Sequence, residues 1–208
     1  MLKLKKIAIT GGVASGKSSV GRFFQELGAF VVDADTIAHE LLDPNTDLGQ
    51  QIIRQFGPEV LEKTHDTVQN NLRFNRRILA EKVFSNPELL KKLEELLHPA
   101  VLLRINELYE HACKTGQATS FVVEIPLLYE IGAENNYDVV IAVFSEEKEA
   151  KARFKKAGFK PREYDQRMKR QIKPEQKAAK AHYTIHNKGS LEDLRKEVLK
   201  LNRIIQNR

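Results

Sequence analysis

The chain has one cysteine, Cys113, and no tryptophan, and aromatic residues make up only 7% of it. A single thiol excludes an internal disulfide and any metal cluster of the Cys-x-x-Cys kind, which fits a reducing compartment such as the cytoplasm. Cys113 closes the apolar-periodic stretch 101–113 and reads as a small core residue rather than a nucleophile. Long apolar runs are missing too. No stretch approaches the ~20 apolar residues of a membrane span. The short apolar run behind Lys3, Lys5 and Lys6 gives way at once to glycines, so no signal peptide and no membrane partner are expected. Internal repeats, low-complexity segments and interdomain linkers are likewise lacking. What remains is a chain of 208 residues, 41% apolar, enough for one domain carrying insertions around a real core.

The net charge is +6, and its placement says more than its size. Residues 148–180 hold 13 Lys and Arg against 4 Asp and Glu, a local +9, which leaves −3 for the rest. Positive charge is concentrated in one segment, not spread as a coat.

The stretch Gly11-Gly12-Val13-Ala14-Ser15-Gly16-Lys17-Ser18 has two glycines, Gly11 and Gly16, with Lys and Ser following the second, the spacing of a loop that cradles phosphate. A short apolar strand at 7–9 precedes it, and 18–27 carries Val20, Phe23, Phe24 and Leu27 at helical spacing. Strand, glycine loop and helix thus stand in the required order. Glycines let the backbone turn so that successive N–H groups face a phosphate chain, and the helix N-terminus adds partial positive charge. Lys17 suits the terminal phosphates, and the Ser18 hydroxyl suits a Mg²⁺ ligand position. Ala14, inside the loop, is expected at negative φ, where a Cβ costs nothing.

Downstream, 29–32 reads as a buried strand ending at Asp33-Ala34-Asp35. Ligands bind at such strand ends in open α/β sheets, so Asp33 is a candidate base, while Asp35 serves equally as a ligand group or as the cap of the helix that follows. The segment up to 116 is almost wholly helical, with apolar periodicity at 48–56, 74–84, 87–97 and 101–113. His98-Pro99 is expected to interrupt the last two, and 65–71 reads as a polar loop. Arg73, Arg76 and Arg77 mark either a solvated face or a grip for an acidic or phosphorylated substrate. A third strand at 119–124 ends in Glu124, placed to hold Mg²⁺ directly or through water. A fourth covers 138–144, and Ser145 with Glu146 and Glu147 opens another helix. Two basic helices follow, joined at Gly158, the second containing Arg167 and Arg170. They form either a lid that closes over triphosphate and excludes water or a solvated basic surface. Residues 183–185 make a last strand, and Ser190 with Asp193 forms a capping box for a helix over 191–205.

Five strands with helices between them predict a parallel α/β sheet, and the residues by themselves describe a small phosphoryl-transfer enzyme. The series Thr10-Gly11-Gly12, Val32-Asp33-Ala34-Asp35, Arg76, His98-Pro99, Pro126-Leu127-Leu128-Tyr129-Glu130, Arg153, Gln171, Lys177 and Asn187-Lys188-Gly189-Ser190 resembles the dephospho-CoA kinase family across nearly the whole chain. The resemblance implies a P-loop nucleoside triphosphate hydrolase-type sheet of five parallel strands flanked by helices. The core would cover 1–34, 117–147 and 177–208, with a helical substrate-binding insertion at 35–116 and a lid at 148–176. It implies ATP and dephospho-CoA as partners, Mg²⁺ as cofactor and a monomer or weak homo-oligomer. Asp33, Lys17 and Arg153 would be catalytic. Gly11, Gly12, Val13, Ala14, Ser15, Gly16, Lys17, Ser18 and Ser19 would bind ATP, with Asn187 and Gly189 beside adenine. Asp33, Asp35, Arg76, His98, Leu127 and Leu128 would hold the acceptor, and Ser18 and Glu124 the metal. The chain departs from the family pattern at Ala14, Asn75, Glu124, Ala157 and His182. Competing expectations are another nucleoside or nucleotide kinase of this class, and a nucleic-acid-binding ATPase using the basic segment, which the scarcity of interleaved aromatics there disfavours.

Overall fold

Ile7, Ala8 and Ile9 are completely buried, because their strand lies in the middle of a sheet covered on both faces. A strand without a wet face needs a continuous apolar run, which is how Ile7-Ala8-Ile9, Phe121-Val122-Val123 and Val139-Val140-Ile141 are written. The computed structural model describes residues 3–62 and 72–207, so the polar loop expected at 65–71 lies outside them. In chain order the elements are β1 (Lys6–Gly11), α1 (Lys17–Glu26), β2 (Phe30–Asp33), α2 (Ala34–Leu41), α3 (Asp47–Phe56), α4 (Arg76–Phe84) and α5 (Pro87–Thr115). They continue with β3 (Phe121–Glu124), β4 (Val139–Phe144), α6 (Glu147–Lys156), α7 (Pro161–Met168), α8 (Pro174–Lys180), β5 (Tyr183–His186) and α9 (Leu191–Gln206). The five strands are all parallel, in the order β2-β3-β1-β4-β5.

The described chain divides into two compact units, Ala34–Glu107 and the remainder. In the sheet unit, Val20 and Phe24 of α1 and Leu194, Val198 and Ile205 of α9 join Ile7, Ile9 and Ile141 in one buried cluster. The expected capping box starts α9. The Ser190 hydroxyl accepts the Asp193 N–H at 3.2 Å, and the Asp193 carboxylate accepts the Ser190 N–H at 3.1 Å. The Ser190 hydroxyl, which donates to the Asp193 carboxylate at 2.6 Å, and then the Ser190 N–H hold this exposed carboxyl below its ordinary pKa. The last turns of α5 also belong to this unit, where Tyr109 donates to the Leu4 carbonyl at 3.0 Å and sets its ring edge-on to Phe121. The helical unit has a core of its own, in which Ile52, Phe56, Val60, Phe74, Leu79, Val83 and Leu93 are buried together. Its helix starts are capped by side chains. Thr46 accepts the Gly49 N–H at 3.0 Å ahead of α3, and Asn75 accepts the Ile78 N–H at 3.1 Å ahead of α4.

Four local expectations are corrected. His98-Pro99 does not interrupt the helix: α5 runs unbroken with Pro99 inside it. The ring removes one backbone bond at a cost of about 3 kcal/mol. Leu93 on one side and Val101 and Ile105 on the other are all buried, each side chain worth about 1.5–3 kcal/mol, and this outweighs the local penalty. Asp35 is not a cap, because α2 begins one residue earlier at Ala34; it lies in the first turn, where the helix dipole favours a carboxylate. Ser145 is not the cap of α6 either. The cap is Glu146, without a side-chain bond, and the Ser145 hydroxyl is engaged elsewhere. Finally the basic segment contains three helices rather than two, α8 being the third, and Arg170 lies in the turn after α7. Among the described residues no helix is long and apolar enough to cross a membrane.

Candidate active site

The end of β1 delivers the chain into the glycine loop, and the backbone there explains each small residue. Gly11 has φ 149° and Gly16 φ 104°, conformations that favour glycine. A Cβ on Gly11 would strike the Val143 carbonyl of β4, and one on Gly16 would strike the Asn187 amide. Ala14 departs from expectation, since its φ is 52° rather than negative. The loop needs a left-handed residue at that point, and alanine adopts the conformation at a cost of roughly 1–2 kcal/mol. Two neighbours hold this tip from behind. The Asn187 amide donates to the Ser15 carbonyl at 2.8 Å, and the Arg153 guanidinium reaches the Ala14 carbonyl at 3.4 Å. Val13 is buried with Ala150 and Phe154 of α6 and Tyr164 of α7, so the loop also packs on the first two helices of the basic segment.

At the start of α1 the Lys17 ammonium donates to the Gly11 and Gly12 carbonyls, at 3.0 and 2.7 Å, curling over the loop's own mouth. The Ser18 hydroxyl donates to Glu124 at 3.0 Å. Glu124 is only 6% exposed, at the C-terminal end of β3, and its register partner in β2 is Asp33. Two carboxylates thus stand side by side at adjacent strand ends, one held against the loop serine and the other part-exposed. Gly21, one turn into α1, makes the first arrangement possible, because a Cβ there would collide with the Glu124 carboxylate. Ser19 follows within the same first turn, its N–H closing on the Gly16 carbonyl at 3.1 Å.

Arg153 on α6 is held by several groups at once. Its guanidinium donates to the Ser145 hydroxyl at 2.8 Å and to the Asn187 carbonyl at 3.0 Å, with Glu149 at 3.4 Å. It is therefore built into the support beneath the loop, together with Asn187. Gly189 lies next to the α9 cap, where a Cβ would approach the Asp193 carboxylate to 2.8 Å. Of the two leucines after β3, Leu127 is part-exposed while Leu128 is fully buried and shapes the turn from inside. In the helical unit, Arg76 opens α4 and donates to the His39 carbonyl of α2 at 3.3 Å, tying its helix to the one that carries Asp35. His98 sits in α5 immediately before Pro99.

Gly21 was not singled out from the sequence, while Ser145 and Lys177 were read for other reasons, the one as a helix start and the other as part of the family resemblance. Gly21 carried one usable signal, a glycine inside a helix, which marks a close approach. Neither reading showed the bonds that Ser145 makes to Arg153 and Lys177 to Pro126, since a serine at a strand end and a lysine in a basic run are ordinary. Among the described residues there is no group of three or more His, Cys, Asp or Glu side chains able to hold a metal ion by itself.

The dephospho-CoA kinase family model matches residues 5–193. The dephospho-CoA kinase of Protochlamydia amoebophila is 39% identical over 203 residues, covering 97% of this chain and 96% of its own. The solved dephospho-CoA kinase from Campylobacter jejuni superposes with a TM-score of 0.68 at 30% identity over 97% of both chains. The chain belongs to the dephospho-CoA kinase family. A solved Thermus thermophilus protein has the same fold at TM-score 0.77 and 31% identity, covering 97% of this chain and 98% of its own. The five-stranded parallel sheet flanked by helices is accordingly a P-loop kinase fold. Several of the chain's departures from the family pattern have structural roles. Asn75 caps α4, Ala157 closes α6 through its N–H on the Arg153 carbonyl, and His182 Nδ1 accepts the Val140 N–H at 2.9 Å.

Proposed function

We propose that this chain transfers the γ-phosphate of ATP to the ribose 3′-hydroxyl of dephospho-CoA, giving CoA and ADP, the last step of CoA synthesis, in the cytoplasm. The observation that carries the reading is the grouping of Lys17, Ser18 and Glu124 at the glycine loop, with Asp33 on the neighbouring strand end. Phosphoryl transfer asks little covalent chemistry of a protein, so positioning and charge neutralisation supply most of the acceleration. The loop N–H groups and the α1 N-terminus receive the phosphate chain. Lys17 exchanges its two loop carbonyls for phosphate oxygens, carrying a full positive charge to where negative charge develops. Arg153 and Asn187 keep the loop tip in the conformation that aims those N–H groups. Asp33, at the part-exposed strand end, takes or orients the proton of the attacking hydroxyl.

Ser18 and Glu124 fit Mg²⁺, directly or through water. A hydroxyl and a buried carboxylate 3.0 Å apart at a loop suited to phosphate offer the hard oxygen donors it prefers. Mg²⁺ bound there with ATP would neutralise phosphate charge. Asp35, Arg76 and His98 of the helical unit, and Leu127 of the sheet unit, are each assigned to the acceptor. The segment 148–176 acts as the lid that excludes water from the transfer.

The test is mass spectrometry of the products formed from Mg-ATP and dephospho-CoA, with AMP, uridine and pantothenate as competing acceptors and Lys17→Ala as the blank. One added phosphate on dephospho-CoA alone, absent in the blank, is expected. Phosphate on a competitor would overturn the acceptor assignment. In the same assay Asp33→Asn should lower kcat by about 10²–10⁴-fold, the usual contribution of a positioned acid or base, with the KM for ATP little changed. Unchanged kcat would remove Asp33 from the chemistry.

A further inference from the structure

Lys177 of α8 is the one lysine among the described residues whose side chain is fully buried, at 0% exposure. An ammonium out of water is costly unless every proton finds an acceptor, and here all three do. Nζ donates to the Pro126 carbonyl, to Glu130 Oε1 at 2.9 Å and to Gln171 Oε1 at 3.4 Å. Burial pushes the Lys177 pKa down, and the bond to Glu130 opposes that shift. The acceptors come from two places. Pro126 and Glu130 bracket the turn after β3 that contains Leu127 and Leu128, while Gln171 belongs to the chain returning from α7 to α8. Both acceptor groups are themselves shared. The Pro126 carbonyl also accepts the hydroxyl of Thr10, the residue that leads into the glycine loop, at 3.3 Å. Glu130 Oε1 also accepts the Ile172 N–H at 2.8 Å. The start of α8 touches the glycine loop as well, since a Cβ on Gly12 would lie 3.1 Å from Pro174.

A buried ion pair is a weak source of stability, and an apolar pair of similar volume commonly serves as well. What a three-way ammonium supplies that apolar packing does not is fixed direction and distance. We infer that Lys177 is a positioning residue for the acceptor: its ammonium locks the 126–130 turn, and with it Leu127, at a set offset from the glycine loop and from the returning end of the basic segment. The inference rests on the reading of Leu127 as part of the acceptor wall. Lys177 and Glu130 touch neither substrate; they act through the turn they hold.

The experiment compares the parent with Lys177→Met/Glu130→Leu, which removes both charges together, with Glu130→Gln, which keeps the size and an oxygen acceptor, and with Leu127→Ala. Each is assayed for kcat and for KM toward Mg-ATP and toward dephospho-CoA, with a melting curve. The double variant, which also leaves the Ile172 N–H without its acceptor, is expected to stay folded with a melting temperature a few degrees below that of the parent. Its kcat/KM for dephospho-CoA should fall by about tenfold or more, while its KM for ATP stays within about twofold. Glu130→Gln should shift the same parameter in the same direction by a smaller factor, and it decides the matter if the double variant fails to fold. A folded variant with unchanged acceptor kinetics, or with equal losses for both substrates, would overturn the positioning role. Leu127→Ala separates the two ideas. If it raises the KM for dephospho-CoA while the Lys177 and Glu130 variants do not, the acceptor wall stands and the clamp falls. If it does not, the acceptor wall itself is withdrawn.

Discussion

Gly21 is a destabilising choice by local rules, since glycine inside a helix costs about 1 kcal/mol relative to alanine. The space it leaves is filled by the Glu124 carboxylate, which is buried and bonded to Ser18 and so has little room to retreat. Gly21→Ala should therefore displace Glu124 from the Ser18 hydroxyl and lower stability by about 1 kcal/mol, the helix gain offsetting only part of the overpacking. The expected result is a several-fold higher Mg²⁺ concentration for half-maximal activity, read by titrating the metal at saturating ATP; an unchanged titration would separate Glu124 from the metal. Ala14 presents the opposite case, a Cβ where the loop conformation favours none. The left-handed geometry costs roughly 1–2 kcal/mol, and the greater freedom of glycine in the unfolded chain offsets about 0.4–1 kcal/mol of that. Ala14→Gly should raise the unfolding free energy by about 0.5–1 kcal/mol, measured by denaturant titration of the free protein. Loss of stability would mean that the Ala14 methyl packs more favourably than its backbone is strained.

Elements were legible where local chemistry and tertiary packing agreed. The Ser190 and Asp193 box started α9 as its spacing required, and the apolar runs of β1, β3 and β4 marked strands of a parallel sheet. They were misread where a local rule met a larger packing term. Pro99 looked like a helix end because the rule concerns one backbone bond, whereas the helix is retained by leucine, valine and isoleucine side chains buried on either side of it. The third basic helix was missed because Pro174-Glu-Gln-Lys-Ala-Ala-Lys180 has no apolar period, and its inward anchor is a lysine. The candidate site divides in the same way. Lys17, Ser18, Glu124 and Asp33 were visible because loop and strand-end chemistry demands those residue types. Gly21, Ser145 and Lys177 take their meaning from chain segments far away in sequence. At this scale Pro99→Ala restores one backbone donor in α5. It should stabilise the protein by about 2–2.5 kcal/mol, less than the full proline penalty because alanine also loosens the unfolded chain. Urea titration measures this, and a destabilised variant would show that the ring itself packs in α5.

For the molecule as a whole, the two cores are built from separate residues, Ile7, Val20 and Val198 with their neighbours in one and Ile52, Phe56 and Val83 with theirs in the other. Separate cores allow separate cooperative openings, and a ligand stabilises only the unit that binds it. Every group assigned to ATP, from Gly11 through Ser19 to Asn187 and Gly189, lies in the sheet unit. Saturation at 100 times the dissociation constant adds about 2.7 kcal/mol to a bound unit, a factor of roughly a hundred in protection from exchange. Native-state hydrogen exchange with Mg-ATP alone should therefore slow the amides of β1, β4 and α1 by up to that factor and leave those of Ile52, Phe56 and Val83 near their unliganded rates. Dephospho-CoA alone should protect the second set. Equal slowing of both sets by ATP would show instead that the units open only together, and that the phosphate loop and the acceptor-binding helices share one stability.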